Sequence, residues 1–202
     1  MMTPIQIKKY LANYINKRSR TIVIVDFGNV EKWKNSLGWV VGIQELANLT
    51  KCFSSGQRFL RRFYYGIDYG RSESSKEPTP WSSGMITRAE ANGMFIIKKR
   101  VKYIYSTNNR HGFEKKCDLD VEMTIDLVRE RENYDTIVLF SGDGDLAYAI
   151  NYLHQEYNKN CVVFGARDHV GREIFDAKIT GSITDIFFAE DFEYRLNKDR
   201  KN

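Results

Sequence analysis

Residues 21–26 read Thr-Ile-Val-Ile-Val-Asp, and residues 136–143 read Thr-Ile-Val-Leu-Phe-Ser-Gly-Asp. Continuous runs of β-branched and other apolar residues are typical of strands buried on both faces, as in a parallel sheet. In α/β folds, ligands bind beyond the carboxyl ends of such strands. The two runs therefore predict an α/β fold that places Asp26 and Asp143 at the same edge of its sheet.

Strands and helices alternate along the rest of the chain, with strands expected at 59–65, 94–97, 162–164 and 183–188. Helices are expected at 4–17, 42–52, 85–93, 118–131 and 170–178, and from the end of the 141–145 turn to 157. Residues 101–105 are expected to extend or pair with the third strand, and residues 66–84 have the composition of a loop. Alternation of this kind predicts one doubly wound, three-layer sandwich with a mostly parallel sheet. We assign 20–192 to this domain, 1–19 to a helical extension and 193–202 to a charged tail, which is expected to be frayed from residue 196 onward.

The bulk composition favours a cytoplasmic protein that does not cross a membrane. The chain has 202 residues, and none of its apolar runs approaches the roughly 18 residues that a membrane span needs. The first 20 residues are polar and lack the apolar core of a secretory signal. The three cysteines form no Cys-x-x-Cys pair, so reduced thiols are expected.

The positive charge is concentrated in one stretch. The net charge is +5, and the segment from Arg88 to Lys116 holds eight Lys or Arg residues against two Glu, interleaved with aromatic residues. Cations suit phosphates and aromatic rings suit bases, so polynucleotide binding is one interpretation and an ordinary solvated surface is the other. The candidate nucleic-acid-binding residues are Lys98, Lys99, Arg100, Lys102, Arg110, Lys115 and Lys116.

The densest acidic motif is Ser141-Gly142-Asp143-Gly144-Asp145, directly after the second apolar run. Two glycines permit a tight turn between strand and helix. One aspartate is readily explained as a cap of the following helix, but two acids and a serine within five residues favour a functional site. Beside Asp26, Asn29 fits either an Asx turn or a residue that orients the carboxylate or a bound water.

A third acid is expected from the helix that begins near residue 118. On a helical wheel, Asp118, Glu122 and Asp126 share a polar strip with Arg129, whereas Asp120 lies on an otherwise apolar sector. A carboxylate that points inward is costly unless it is paired or bound to a metal. Asp120 is therefore the preferred acid, Asp118 is a secondary candidate, and a solvated position is expected for Asp126.

Several site chemistries are excluded by the motifs. The three histidines and three cysteines lack the clustering of a zinc site, and the chain contains neither a phosphate-binding loop of the G-x-x-x-x-G-K-[ST] type nor a G-x-S-x-G elbow. Converging carboxylates offer only oxygen ligands, which predicts Mg²⁺ or Mn²⁺ as the cofactor.

These motifs resemble those of the NYN domain, in the LabA-like branch of the PIN-like nuclease superfamily. The resemblance rests on 25–30 (Val-Asp-Phe-Gly-Asn-Val), 98–102, 120–128 and 141–145, in the family's order. It covers roughly residues 20–190. The glycine that usually precedes the third acid is missing, since residues 116–121 read Lys-Cys-Asp-Leu-Asp-Val.

The resemblance implies a Rossmann-like, PIN-like fold and Mg²⁺- or Mn²⁺-dependent hydrolysis of RNA phosphodiesters, with endonucleolytic action expected. Asp26, Asp120, Asp143 and Asp145 match the family's metal-binding and catalytic acids, and Asn29 matches the asparagine beside the first of them. Asp118, Asp126 and Ser141 are secondary site residues.

Two other functions remain as alternatives. A non-catalytic PIN-like module that binds RNA or protein would be expected to lose some of the acids, and this chain keeps all four. The second alternative is a different phosphohydrolase that acts on a small phosphate ester or nucleotide. The covalent route of the haloacid dehalogenase type is not expected, because it needs an acid two residues after Asp26, where Gly28 stands. The segments 59–65 and 183–188 fit either a homodimer contact or buried packing.

Overall fold

The computed structural model describes residues 5–6, 9, 11–12, 20–54, 58–72, 74–107 and 112–200. Of the expected helix at 4–17, the described residues are helical, and Leu11 is buried in the core. The rest of that segment lies outside the described residues, as does Arg110. Among the described residues, no helix combines the length and apolar character that a bilayer crossing requires.

The centre of the molecule is a six-stranded sheet in which every neighbouring pair of strands is parallel. Its strands are β1 (Thr21–Asp26), β2 (Arg61–Ile67), β3 (Phe95–Arg100), β6 (Thr136–Phe140), β7 (Asn160–Gly165) and β8 (Asp185–Phe188). Their spatial order is β3-β2-β1-β6-β7-β8. The winding therefore reverses between β1 and β6, as it does at the centre of a Rossmann-like sheet.

The helices connect these strands across both faces of the sheet. They are α1 (Phe27–Lys32), α2 (Lys34–Leu37), α3 (Ile43–Lys51), α4 (Pro80–Ala91), α5 (Asp120–Arg129), α6 (Ala147–Tyr157), α7 (Arg172–Ile179) and α8 (Glu193–Leu196). Short 3₁₀ turns occupy Arg58–Leu60, Arg131–Asn133, Gly144–Leu146, Arg167–His169 and Ala189–Phe192.

The apolar core forms two layers, one on each face of the sheet. Along β1, Val23 and Val25 pack into one layer with residues of α1, α3 and α4. Ile22 and Ile24 pack into the other with residues of α5, α6 and α7. Because successive side chains of a strand point to opposite faces, one uninterrupted apolar run supplies both layers. The predicted three-layer sandwich with a mostly parallel sheet is confirmed.

Residues 101–105 do not extend or pair with β3. β4 (Lys102–Tyr105) instead forms an antiparallel hairpin with β5 (Phe113–Lys116), separate from the main sheet. The ladder between β2 and β3 ends with Ile67 opposite Arg100, and the Val101 N–H then donates to the Ile67 carbonyl as the chain turns away.

The expected loop at 66–84 is shorter than predicted because α4 already begins at Pro80. Pro80 fits the first turn of a helix, where its missing N–H is not needed. The Thr79 side chain caps this turn by accepting from the Ser82 N–H at 3.4 Å.

Asp126 is buried, so the solvated position expected from the helical wheel is wrong. Its carboxylate pairs with the buried Arg62 at 2.7 Å, accepts from the Tyr64 hydroxyl at 2.8 Å and contacts Arg129 at 3.2 Å. Arg62 also pairs with Glu130 at 2.7 Å. A helical wheel considers only the residues of the helix. It therefore does not reveal that strand β2 places the buried Arg62 beside the polar strip of α5.

Leu196 and Asn197, which begin the segment expected to be frayed, are held against the rest of the protein. Leu196 is fully buried, and its carbonyl accepts from the Gly42 N–H at 2.9 Å. Asn197 forms an antiparallel bridge with Val41. The apolar Leu196 therefore anchors the first part of the predicted tail.

Because Arg62 is buried and Arg129 is exposed, replacing these two partners of Asp126 should lower the free energy of unfolding by different amounts. Replacing Arg62 with Met leaves Asp126 and Glu130 without their buried counter-ion and is expected to lower the free energy of unfolding by about 3 kcal/mol. Replacing Arg129, whose side chain is 67% exposed, with Met should cost less than about 1 kcal/mol. Urea denaturation measures both, and equal losses would contradict this assignment.

Candidate metal centre

The sheet brings together the ends of β1 and β6, which are distant in sequence. The two strands are paired in register up to Val25 opposite Phe140. Asp26 ends β1, and Ser141 to Asp143 follow β6 directly. This pairing places the acids of both apolar runs at the point where the winding of the sheet reverses.

Three aspartates form one acidic group at this point: Asp26, Asp120 and Asp143. One carboxylate oxygen of each lies within 4.8 Å of those of the other two. Asp120 comes from the first turn of α5, so the group draws on three separate segments of the chain. Carboxylates so close together repel one another unless a proton or a cation intervenes.

Asp26 is held by donors on both of its oxygens. Oδ1 accepts from the Asn29 N–H at 3.2 Å, which caps α1, and Oδ2 accepts from the Ser141 hydroxyl at 2.9 Å. The Ser141 oxygen in turn accepts from the Asp143 N–H at 3.1 Å. A buried serine thus connects two of the three aspartates.

The turn after β6 requires glycine at position 142. A Cβ there would clash with the His169 carbonyl oxygen, and the Gly142 carbonyl accepts from the Gly171 N–H at 2.8 Å. Asp143 begins the 3₁₀ turn and caps it by accepting from the Asp145 N–H at 3.1 Å. Asp143 therefore both caps the 3₁₀ turn and belongs to the acidic group.

Asp120 is positioned from the segment that precedes α5. The Asp118 carboxylate accepts from the Asp120 N–H at 3.1 Å. Lys99 on β3 pairs with Glu122 at 2.8 Å and donates to the Asp118 carbonyl at 2.8 Å. These contacts fix the first turn of the helix that carries the third acid.

The surroundings raise the pKa of two members of the group. Burial raises the pKa of Asp26, against hydrogen bonds from Ser141 and Asn29 that favour the charged form. Burial, reinforced by the charges of Asp143 and Asp118, raises the pKa of Asp120 to about 7. In contrast, the hydrogen bond from the Asp120 N–H lowers the pKa of Asp118. The group therefore favours uptake of positive charge.

A hard divalent cation fits this donor set. All three side chains offer only carboxylate oxygen, which Mg²⁺ and Mn²⁺ prefer as a ligand. Binding such a cation would offset both the burial and the repulsion that raise the pKa of Asp120. The same donors do not suit zinc, which favours nitrogen and sulfur ligands in structural sites.

The other predicted acids lie outside this group. Asp145 is exposed in the 3₁₀ turn, and its role as a ligand stays a prediction. Asp118 is exposed and acts on Asp120 through its hydrogen bond. Asp126 belongs to the buried pair with Arg62, which accounts for it structurally.

Sequence reasoning missed the contact that fixes Asn29. Its Oδ1 accepts from the Gly142 N–H at 3.0 Å and from the Nε1–H of the fully buried Trp33 at 2.8 Å. Asn29 therefore connects α1 to the turn after β6. The spacing of four residues between Asn29 and Trp33 was the available signal, since such residues are neighbours on a helix.

The predicted basic residues divide into two classes. Lys115 pairs with Asp68 at 2.7 Å, Lys99 pairs with Glu122, and Arg100 donates to the Ser72 and Ser75 carbonyls. Lys98, Lys102 and Lys116 are exposed and form no ion pair with any described residue. These three are the better candidates for contacts with phosphate.

The raised pKa of Asp120 predicts how pH affects the stability of the metal-free protein. The folded state keeps this proton up to about pH 7, whereas an unfolded aspartate loses it near pH 4. Stability should therefore fall as pH rises between these values. Asp120→Asn removes the effect and should raise the melting temperature in EDTA more at pH 8 than at pH 5. Asp199→Asn, at an exposed position, is the control, and a pH-independent difference would contradict the prediction.

The contacts of Ser141 predict a loss of metal affinity when its hydroxyl is removed. Ser141→Ala deletes the donor to Asp26 and the acceptor for Asp143, and groups that orient ligands are typically worth about 10- to 100-fold in affinity. A Mn²⁺ titration followed by calorimetry measures the change. Ser182→Ala, at a buried serine elsewhere in the chain, should bind Mn²⁺ as the parent does; an equal loss in both would point to general destabilisation.

Comparison with known proteins agrees with the resemblance. Residues 20–180 match the family model of the NYN domain. The chain is similar to the low amplitude and bright protein LabA of Synechococcus elongatus, with 37% identity over 71 residues. That match covers 35% of this chain and 38% of LabA, well under two thirds of the relative's length.

A solved structure shares the fold. It is a protein of unknown function from Vibrio parahaemolyticus, with a TM-score of 0.60 and 18% sequence identity. The match covers 86% of this chain and 94% of the other. At that identity the likeness supports the architecture and says nothing of the site.

Proposed function

This chain belongs to the NYN domain family, and on that premise we propose that it is a metal-dependent ribonuclease that hydrolyses phosphodiester bonds in RNA. The observation that carries the proposal is the meeting of Asp26, Asp120 and Asp143 within 4.8 Å. Members of the family are typically nucleases, so binding of a catalytic metal ion is the simplest explanation for such a group of acids.

The three aspartates would hold Mg²⁺ or Mn²⁺. When bound, such an ion lowers the pKa of water and offsets the negative charge that develops on a phosphate and on the leaving oxygen. The protein's own part is to keep the carboxylates in place. Ser141 does so through hydrogen bonds to Asp26 and Asp143, and Asp118 does so through the Asp120 N–H.

A polyanionic substrate fits the distribution of charge around this edge. Without its cation, the acidic group would repel phosphates. Exposed lysines would attract them: Lys98 lies on β3, and Lys102 and Lys116 lie opposite each other on the β4–β5 hairpin. The chain as a whole carries a net charge of +5. Binding should therefore weaken as the salt concentration rises, because phosphate contacts release counterions.

Asp143→Asn tests the proposal most simply. The variant keeps the shape of the side chain but removes one charge from the group, so Mn²⁺-dependent cleavage of single-stranded RNA should fall at least about 100-fold. Its melting temperature in EDTA should equal or exceed that of the parent because one like charge is gone. Gel analysis of end-labelled RNA and thermal melts measure the two effects.

The matched control is Asp199→Asn, which carries the same change at an exposed position and should cleave like the parent. Equal cleavage by Asp143→Asn would show that the activity is a contaminant or that the acids are misassigned. Metal-independent RNA binding without cleavage by the parent would instead favour the non-catalytic binding module.

A further inference from the structure

The β4–β5 hairpin stands at the same edge of the sheet as the metal centre. It leaves the carboxyl end of β3, since β3 ends at Arg100 and β4 begins at Lys102. It returns at Lys116, and only three residues separate its last strand from Asp120. The hairpin is therefore joined directly to the helix that supplies one of the three acids.

One carboxylate fixes the orientation of the hairpin. The Tyr103 hydroxyl donates to Asp68 Oδ1 at 2.6 Å, and the Lys115 ammonium donates to Asp68 Oδ2 at 2.7 Å. Tyr103 and Lys115 are directly opposite each other on the two strands. Because both strands bind the same side chain, which is 13% exposed, the hairpin is held against the end of β2.

The outer end of the hairpin presents aromatic rings to solvent. Tyr105 and Phe113 face each other edge to face with their ring centres 6.0 Å apart, and Tyr105 is 71% exposed. The Arg71 guanidinium lies 5.1 Å from the centre of the Phe113 ring. Arg71 is exposed and forms no ion pair with any residue that the structure describes. Neither Tyr105 nor Arg71 is needed for the apolar core.

We propose that Tyr105, Phe113 and Arg71 form a subsite for one unpaired nucleotide of the RNA, with the base stacked on Tyr105 and a flanking phosphate bound by Arg71. The inference rests on the proposed function, since it adds a contact to the same substrate outside the metal centre. Alternate residues of a strand share a face, so Tyr103, Tyr105, Phe113 and Lys115 all belong to one side of the hairpin. Arg71 is the cation beside the aromatic pair, and Lys115, on the same side of the hairpin, is paired with Asp68.

The subsite selects for single-stranded RNA at this position. A base within a duplex has both faces covered by its neighbours, so an aromatic side chain gains contact area only with an unstacked base. Stacking is tolerant of base identity because every base has a flat face. The hairpin should accordingly favour unpaired segments without choosing strongly among their sequences.

Binding of a fluorescent decauridylate to the Asp143→Asn protein, followed by anisotropy, tests the subsite without cleavage of the probe. Tyr105→Ala in this background should weaken binding by about 5- to 100-fold, and Tyr105→Trp should restore it. Phe59→Ala is the matched control. Phe59 is also exposed, at 52%, but it directly precedes β2 and so lies at the amino ends of the strands, away from the hairpin. It should change the affinity by less than about twofold.

An abasic decamer with the same phosphates separates stacking from charge. Tyr105→Ala should leave its binding unchanged, whereas Arg71→Ala should weaken the binding of both probes. Unchanged affinity of Tyr105→Ala for decauridylate, or an equal loss for both probes, would overturn the subsite.

Cleavage of decauridylate by the parent with Mn²⁺ is measured separately. Cleavage without any dependence on Tyr105 would overturn the subsite and leave the nuclease function standing. Tyr105-dependent binding without cleavage would support the subsite and overturn the nuclease function.

Discussion

Mutual repulsion among three carboxylates is the constraint around which the functional edge is organised. Asp26, Asp120 and Asp143 come from β1, α5 and the turn after β6, and the parallel pairing of β1 with β6 makes the first and last of them neighbours. Holding like charges this close in a partly buried site costs stability unless a proton or a cation compensates. The hydrogen bonds of Ser141, Asn29 and Asp118 keep the acids in place despite this cost.

Much of the fold follows from patterns in the sequence. The apolar runs of β1 and β6 predict strands buried on both faces, and the structure places them at the centre of an all-parallel sheet. The hairpin of β4 and β5 was not predicted, because residues 101–105 were expected to extend or pair with β3. Its side-chain contacts with Asp68, which is distant in sequence, are also invisible to a local pattern. The early start of α4 follows from Pro80 at its first position, a local signal that the surrounding loop composition obscured.

The site was predictable only in part. The position of Asp26 and Asp143 after two strands indicates a shared edge, and the inward sector of α5 points to Asp120. The placement of Asp126 was wrong because the buried Arg62 comes from β2, and no periodicity within α5 reveals such a partner. Other contacts at the site also depend on tertiary packing. Asn29 accepts from Trp33 and Gly142, and Lys99 donates to the Asp118 carbonyl just before α5. Charge counting also does not reveal that Lys99, Arg100 and Lys115 are bound to other groups of the protein.

Anomalous scattering from crystals of the protein grown with Mn²⁺ at pH 8, where Asp120 is ionised, would show directly whether the three aspartates bind a metal ion. We expect a Mn²⁺ peak within coordination distance of carboxylate oxygens of Asp26, Asp120 and Asp143. The absence of a peak among these three side chains, with Mn²⁺ bound elsewhere or not at all, would contradict it.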